Sequence, residues 1–154
     1  MSDAPFSPIR WEDGHLKLLD QTRLPETEAW LDCESPDEVA DAIRRLAVRG
    51  APAIGVAAAY GLVLGVQTIR GGESLADRFA QVSELLGRTR PTAVNLRWAL
   101  ERGREVFERS SAGGAEEAAR TLLDWPTPCT PRTCGSIARS ASTAPPCSRQ
   151  DRRC

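Results

Sequence analysis

The sequence predicts an α+β fold: a small N-terminal β-element followed by a helical bundle, together occupying residues 1–124. Three observations predict it. An Asp-Gly pair at 13–14 separates two short apolar-bearing runs. Ser35-Pro36-Asp37-Glu38 opens a stretch with helical apolar spacing. The run Ala51 to Val66 is apolar almost throughout, yet too short to span a bilayer.

Ile9 to Trp11 and His15 to Leu19 flank the Asp-Gly pair and read as a β-hairpin. A third strand is expected over Glu28 to Cys33. Ser35 can then cap a helix, Pro36 suits its first position, and Glu38 completes a capping box. Val39, Ala42, Ile43 and Leu46 follow on one apolar face. Arg49-Gly50-Ala51-Pro52 interrupts the helix, with Gly50 allowing a tight turn and Pro52 at the first position of the next helix. That helix, about Ala53 to Ile69, is apolar nearly all round, the mark of a helix buried on most sides. Gly71-Gly72 is a loop, and Ser74 caps a helix running to about Leu86. Thr89-Arg90-Pro91-Thr92 breaks the chain again. A long helix from Ala93 to Arg109 carries Val94, Leu96, Trp98, Leu100 and Val106 as its apolar residues. Ala112-Gly113-Gly114 ends it, and Glu116 begins a last helix. Trp11, Trp30 and Trp98 are expected in the core or at an interface, and the charges from Glu101 to Arg109 on a solvated face.

Composition changes after Asp124. Residues 125–154 hold five Pro, four Cys, and five Arg against the single acid Asp151, with no Leu, Val, Phe, Met or Tyr. So few large apolar side chains cannot offset the entropy of ordering, and disorder is expected. Cys129, Cys134, Cys147 and Cys154 have no histidine beside them and form no C-x-x-C pair, which argues against zinc. Two readings of this segment compete: a native disordered tail and a shifted reading frame. From the last base of the Trp125 codon, the shifted codons permit Ala-Asp-Ala-Leu-His-Ala-Glu-Asp-Val-Arg-Ile-Asn-Arg-Ser-Ile-Gly-Glu-His-Gly-Ala, a string with helical periodicity. We take the shifted frame, with one base lost from a G run, as the expectation.

With 20 basic and 21 acidic residues the net charge is −1, which argues against a nucleic-acid binder driven by a general positive field. No signal peptide or membrane-spanning run is visible, so a cytoplasmic protein with no membrane partner is expected. The chemistry-bearing candidates are the two loops that place an arginine before a helix: Arg49-Gly50-Ala51-Pro52 and Arg90-Pro91-Thr92. The first N–H groups of a helix lack internal partners and sit at the positive end of its dipole. An adjacent arginine makes an anion corner suited to phosphate. On pattern alone, plain helix-start punctuation with solvent-facing arginines stays open. Asn95, a turn beyond Arg90, either offers its amide to a ligand or braces the turn. His15, the sole histidine, reads as a surface strand residue, and Cys33 as structural. Gly71-Gly72 and Gly113-Gly114 are linkers without phosphate-loop spacing.

Four stretches carry a likeness: Ile9-Arg10-Trp11, Leu18 to Pro25 (LLDQTRLP), Val48 to Tyr60 (VRGAPAIGVAAAY) and Arg90 to Leu96 (RPTAVNL). In content, order and spacing, residues 9 to 124 resemble the methylthioribose-1-phosphate isomerases. The resemblance implies conversion of 5-methylthioribose 1-phosphate to 5-methylthioribulose 1-phosphate in methionine salvage, without metal or organic cofactor. It also implies a second, Rossmann-like α/β domain through which the full-length family dimerises. That domain carries the family's catalytic Cys and Asp, and it is expected to be missing here. By motif, Arg49, Gly50, Ala51 and Arg90 contact the phosphorylated sugar. The four cysteines after Asp124 match no family motif. A chain holding half the site is expected not to turn substrate over, and to expose apolar surface. The alternatives are the regulatory subunits of the translation-factor guanine-nucleotide exchange complex, a ribose 1,5-bisphosphate isomerase, or a stand-alone helical interaction module.

Sequencing the genomic locus tests the shifted frame. The expected result is one further G at the Trp125 codon, restoring the helical string; an intact G count with the same stop codon overturns it.

Overall fold

The computed structural model describes residues 7–69 and 71–124. The expectations for 125–154, including its four cysteines, lie outside the described residues. The described chain begins with three strands, β1 (Ile9–Glu12), β2 (His15–Leu19) and β3 (Trp30–Cys33), forming an antiparallel sheet in the order β1-β2-β3. Five helices follow: α1 (Pro36–Arg44), α2 (Ala51–Gln67), α3 (Leu75–Gly87), α4 (Val94–Ser110) and α5 (Ala115–Asp124), with a short 3-10 turn at Ser111–Gly113. This is the expected α+β arrangement.

Hairpin register follows from the turn. Glu12 pairs with His15 across Asp13 and Gly14, whose φ angles are 52° and 81°. Two left-handed residues in a two-residue loop match the strand twist. The register then puts Ile9 opposite Leu18, Trp11 opposite Leu16, and Leu16 opposite Cys33. These residues face the helices, and Leu16 and Leu18 are fully buried. On the outer face Lys17 pairs with Glu12 and Asp32, and Arg10 lies 4.4 Å over the Trp30 ring. Trp11 stacks on Tyr60 at 5.2 Å between centroids, tying the sheet to α2.

The helix α1 starts with the expected capping box between Ser35 and Glu38. Its end differs from expectation. Leu46 is 40% exposed and left-handed, with φ 63°, so it does not extend the apolar face of Val39, Ala42 and Ile43. The Ala47 N–H donates to Ala42 O at 2.9 Å and the Leu46 N–H to Ile43 O at 3.3 Å. That is a Schellman close with leucine where glycine is usual. It stops the helix at Arg44 and turns Ala47 and Val48 back into the core. The following helix begins two residues before the expected start, which puts Pro52 at its second position.

Apolar on every side, α2 packs against α1, α3, α4 and α5 and touches β1 and β2. Its glycines mark where the neighbours come closest. A Cβ at Gly65 would stand 2.6 Å from a Val82 methyl on α3. One at Gly61 would stand 3.0 Å from Leu86 and 3.3 Å from Val39. The pairing of 61 with 86 and 65 with 82 runs α3 antiparallel to α2, and α4 returns alongside α2. Phe79 of α3 stacks on Phe107 of α4 at 4.1 Å. In α4 the buried positions are Leu96, Ala99, Leu100, Gly103, Phe107 and Ser110. Val94 and Trp98 are 77% and 47% exposed, which corrects their expected placement on the apolar face and that of Trp98 in the core. They sit four residues apart on a different face from the Leu96–Leu100–Phe107 stripe. The charged residues from Glu101 to Arg109 are exposed, as expected.

Replacing Gly65 with alanine is expected to lower stability by about 1–3 kcal/mol through overpacking against Val82. Val82→Ala in the same chain should recover part of the loss. Urea unfolding of the single and double variants checks both; a neutral G65A overturns the close contact.

Candidate functional site

Two kinds of helix start occur in this bundle. Those of α1 and α3 are closed by serine side chains: Ser35 accepts from the Glu38 N–H, and Ser74 from the Asp77 N–H. Those of α2 and α4 follow Gly50 and Ala93, and neither has a side-chain cap. The first hydrogen bond of α2 runs from the Ile54 N–H to Gly50 O at 3.1 Å. The N–H groups of Ala51 and Ala53 therefore precede the helical ladder, and Pro52 has none. In α4 the Arg97 N–H donates to Ala93 O at 3.2 Å, leaving Val94, Asn95 and Leu96 in the same situation. Gly50 adopts φ 91°, a conformation that residues with a Cβ rarely adopt, so the chain enters α2 with no Cβ over its first turn.

The same packing places these two helix starts at one end of the bundle. A Cβ at Gly55 would stand 3.1 Å from the Asn95 carbonyl oxygen and 3.7 Å from the Ala99 methyl, and Ala59 and Ala99 are buried together. The contact falls one turn into α2, about 6 Å along its axis from Ala51. Arg49, Gly50 and Ala51 are exposed there and Arg90 is half-buried. Among the described residues neither arginine forms an ion pair. The Arg90 loop is closed locally: the Ala93 N–H donates to Arg90 O at 3.0 Å, and Arg97 Nη2 donates to Pro91 O at 3.0 Å. Asn95 is half-buried, and its main-chain oxygen is the group pressed against Gly55.

The other sequence candidates lie elsewhere. His15 ends the hairpin turn, paired with Glu12. Cys33 is buried at the end of β3, and burial, with Glu38 adding to it, pushes its thiol up to about 11. Such a thiol is not a nucleophile near neutral pH. No group of three or more His, Cys, Asp or Glu that could hold a metal ion occurs among the described residues. No described helix is long and apolar enough to cross a membrane.

Sequence reasoning did not single out Asp20, a charged side chain buried to 1% exposure. Its Oδ1 accepts from the Thr22 N–H at 3.0 Å and from Thr22 Oγ1 at 2.5 Å. Its Oδ2 accepts from Arg45 Nη1 at 3.2 Å, with Arg23 Nε 4.0 Å away. The Thr22 hydroxyl is the main cause that holds the carboxyl below its usual range; burial opposes this, while the Thr22 amide and Arg45 reinforce it. The available signal was local: an acid closing the apolar run Leu16 to Leu19, with threonine two residues on, is the pattern of an Asx turn.

A carboxyl whose folded pKa is lowered stabilises fully above its unfolded value of about 3.9 and loses that contribution as pH falls through the lower folded value. Asp20→Asn should therefore lower stability near pH 7 by about 1–3 kcal/mol and flatten the loss of stability below pH 4. Urea unfolding from pH 7 to pH 2 checks this, the two curves converging in acid; parallel curves overturn it.

The model of the initiation factor 2 subunit family matches residues 47–125. A methylthioribose-1-phosphate isomerase of Thermotoga maritima is 56% identical over 99 residues, which cover 64% of this chain and 29% of that protein. The crystal structure of 5-methylthioribose 1-phosphate isomerase from Pyrococcus horikoshii superposes with a TM-score of 0.69 at 32% identity, over 78% of this chain and 37% of that one. The structure of translation initiation factor eIF-2B, subunit delta, from A. fulgidus gives 0.70 at 39% identity, over 76% and 34%. The chain thus spans about a third of the length of these relatives. The family match covers both Arg49-Gly50-Ala51 and Arg90, and on it the chain belongs to the initiation factor 2 subunit family, alongside relatives named as methylthioribose-1-phosphate isomerases.

Proposed function

We propose that the described domain is the substrate-holding N-terminal part of an aldose-ketose isomerase that converts 5-methylthioribose 1-phosphate to 5-methylthioribulose 1-phosphate in methionine salvage. The observation that carries this reading is the pair of uncapped helix starts, α2 and α4, side by side at one end of the bundle and each preceded by an arginine that forms no ion pair among the described residues. Helix N–H groups and guanidinium groups together suit a phosphate dianion. Arg49, Gly50 and Ala51 would hold one side of the phosphorylated sugar and Arg90 the other. The absence of a Cβ at Gly50 lets a phosphate oxygen approach the main chain closely. Holding the sugar in one geometry supports proton or hydride movement between C1 and C2. The groups that carry out that transfer are assigned to the α/β domain of the family architecture, through which the full-length protein would dimerise. On this reading the 154-residue chain binds substrate and does not turn it over.

A second reading has its own support: the likeness to the A. fulgidus subunit delta equals that to the Pyrococcus isomerase in shape. The chain would then be a regulatory subunit without activity. The presence of both VRGAPAIG and RPTAVNL favours the isomerase over this reading and over a ribose 1,5-bisphosphate isomerase.

Isothermal titration separates them. The isomerase reading expects methylthioribose 1-phosphate to bind the frame-restored protein with turnover, and the 154-residue chain without it. Arg49→Ala and Arg90→Ala should each weaken binding by about tenfold to a hundredfold, the worth of a hydrogen bond to a charged group, with little change in melting temperature. Unchanged affinity in both variants, or tighter binding of ribose 1,5-bisphosphate, overturns the assignment. Isomerisation by the 154-residue chain overturns the division of labour.

A further inference from the structure

The strap from Arg45 to Gly50 joins α1 to α2 and delivers Arg49 to the helix start. It has no regular structure of its own, so something must hold it. Two anchors come from the chain between β2 and β3. The Gln21 N–H donates to Ala47 O at 2.9 Å, and Arg45 Nη1 donates to Asp20 Oδ2 at 3.2 Å. Asp20 is held in turn by Thr22 through Oδ1 and by its own N–H, which donates to Ala29 O at 2.8 Å. Arg45 is braced a second time by Asp41, 3.1 Å from its Nε. Ala47 and Val48 sit in the core just beyond, and the left-handed Leu46 lies between the two anchors.

We infer that Asp20 is a positioning residue for the site: through Arg45 and the Gln21–Ala47 hydrogen bond it sets the path of the strap, and so the placement of Arg49 and Gly50. The role in substrate binding rests on the proposed function; the setting of the strap does not. A buried carboxylate that served stability alone could be satisfied by Thr22 and water. Here it reaches a guanidinium 25 residues away in sequence, at the first residue of the segment that carries the site arginine. Arg23, at 4.0 Å and 65% exposed, adds a looser cation to the same oxygen.

The test uses the 154-residue chain with Asp20→Asn, Arg45→Met and the double variant. Arg45 is 43% exposed, so R45M leaves the core intact if D20N does not fold. Amide hydrogen exchange read by NMR is the first arm. Exchange at Gln21, Leu46 and Ala47 should accelerate about tenfold or more beyond any change at Val63 to Val66 in α2, which reports the global loss of stability, with the double variant matching the singles. Acceleration at the strap no greater than that at Val63 to Val66, or no change at the strap, overturns the inference. The second arm titrates methylthioribose 1-phosphate into each variant while following the Gly50 and Ala51 amide resonances. Affinity should fall about tenfold in each single variant, with no further loss in the double. Unchanged affinity in a variant whose strap has loosened overturns the positioning role. If the unaltered chain binds no methylthioribose 1-phosphate, the proposed function fails, and the exchange arm alone still decides whether Asp20 sets the strap.

Discussion

The helix α2 has no polar face, and the rest of the bundle is arranged to keep water from it. A helix of this kind gains stability only when surrounded, and here α1, α3, α4, α5 and the inner face of the sheet do the surrounding. Close approach is possible because its glycines offer flat ground at the crossings, Gly55 to α4, Gly61 to α1 and α3, and Gly65 to α3. Dispersion falls off steeply with distance, so a few tenths of an ångström at each crossing matter. Trp11 on Tyr60 and Phe79 on Phe107 extend the same packing to the sheet and between the outer helices.

The crossing at Gly55 also has a consequence for charge. It brings the starts of α2 and α4 to one end, so two sets of unsatisfied N–H groups and two dipole ends share a small region. An isolated bundle could have closed these starts with serine or aspartate, as it does at α1 and α3. Instead the residues at those positions are Gly50 and Ala93, which offer no acceptor. Each start therefore leaves its first N–H groups without a side-chain acceptor. The same loops supply Arg49 and Arg90, which places two cations near these starts although the chain as a whole is near neutral.

Between the sheet and the bundle, Asp20 and Leu46 make the chain turn where neither local propensity nor packing alone requires it. Leucine in the left-handed region costs roughly 1–2 kcal/mol. The strap accepts that cost because the Schellman close sends Ala47 and Val48 inward and leaves Arg49 outside. Asp20 is buried and charged, a combination that is costly unless every lone pair finds a donor; Thr22 and Arg45 supply them. A strained residue and a satisfied buried charge thus flank the same short segment.

By itself the sequence determined the element types, and their ends to within about two residues. Asp13-Gly14 specified a two-residue hairpin, Ser35 with Glu38 specified the start of α1, Ser74 that of α3, and the apolar run after Pro52 a surrounded helix. These features depend on hydrogen bonds and side-chain periods that act within a few residues, so they are legible along the chain. The two arginine loops were legible too, although not their meeting. Only the tertiary structure decided that the starts of α2 and α4 lie together, since this depends on where Gly55 crosses Asn95. It also decided that Leu46 turns out of the α1 face, that Val94 and Trp98 lie off the buried stripe of α4, and that Asp20 finds Arg45. Each is an outcome of contacts between groups far apart in sequence, whose partners are chosen by packing rather than by neighbours in the chain.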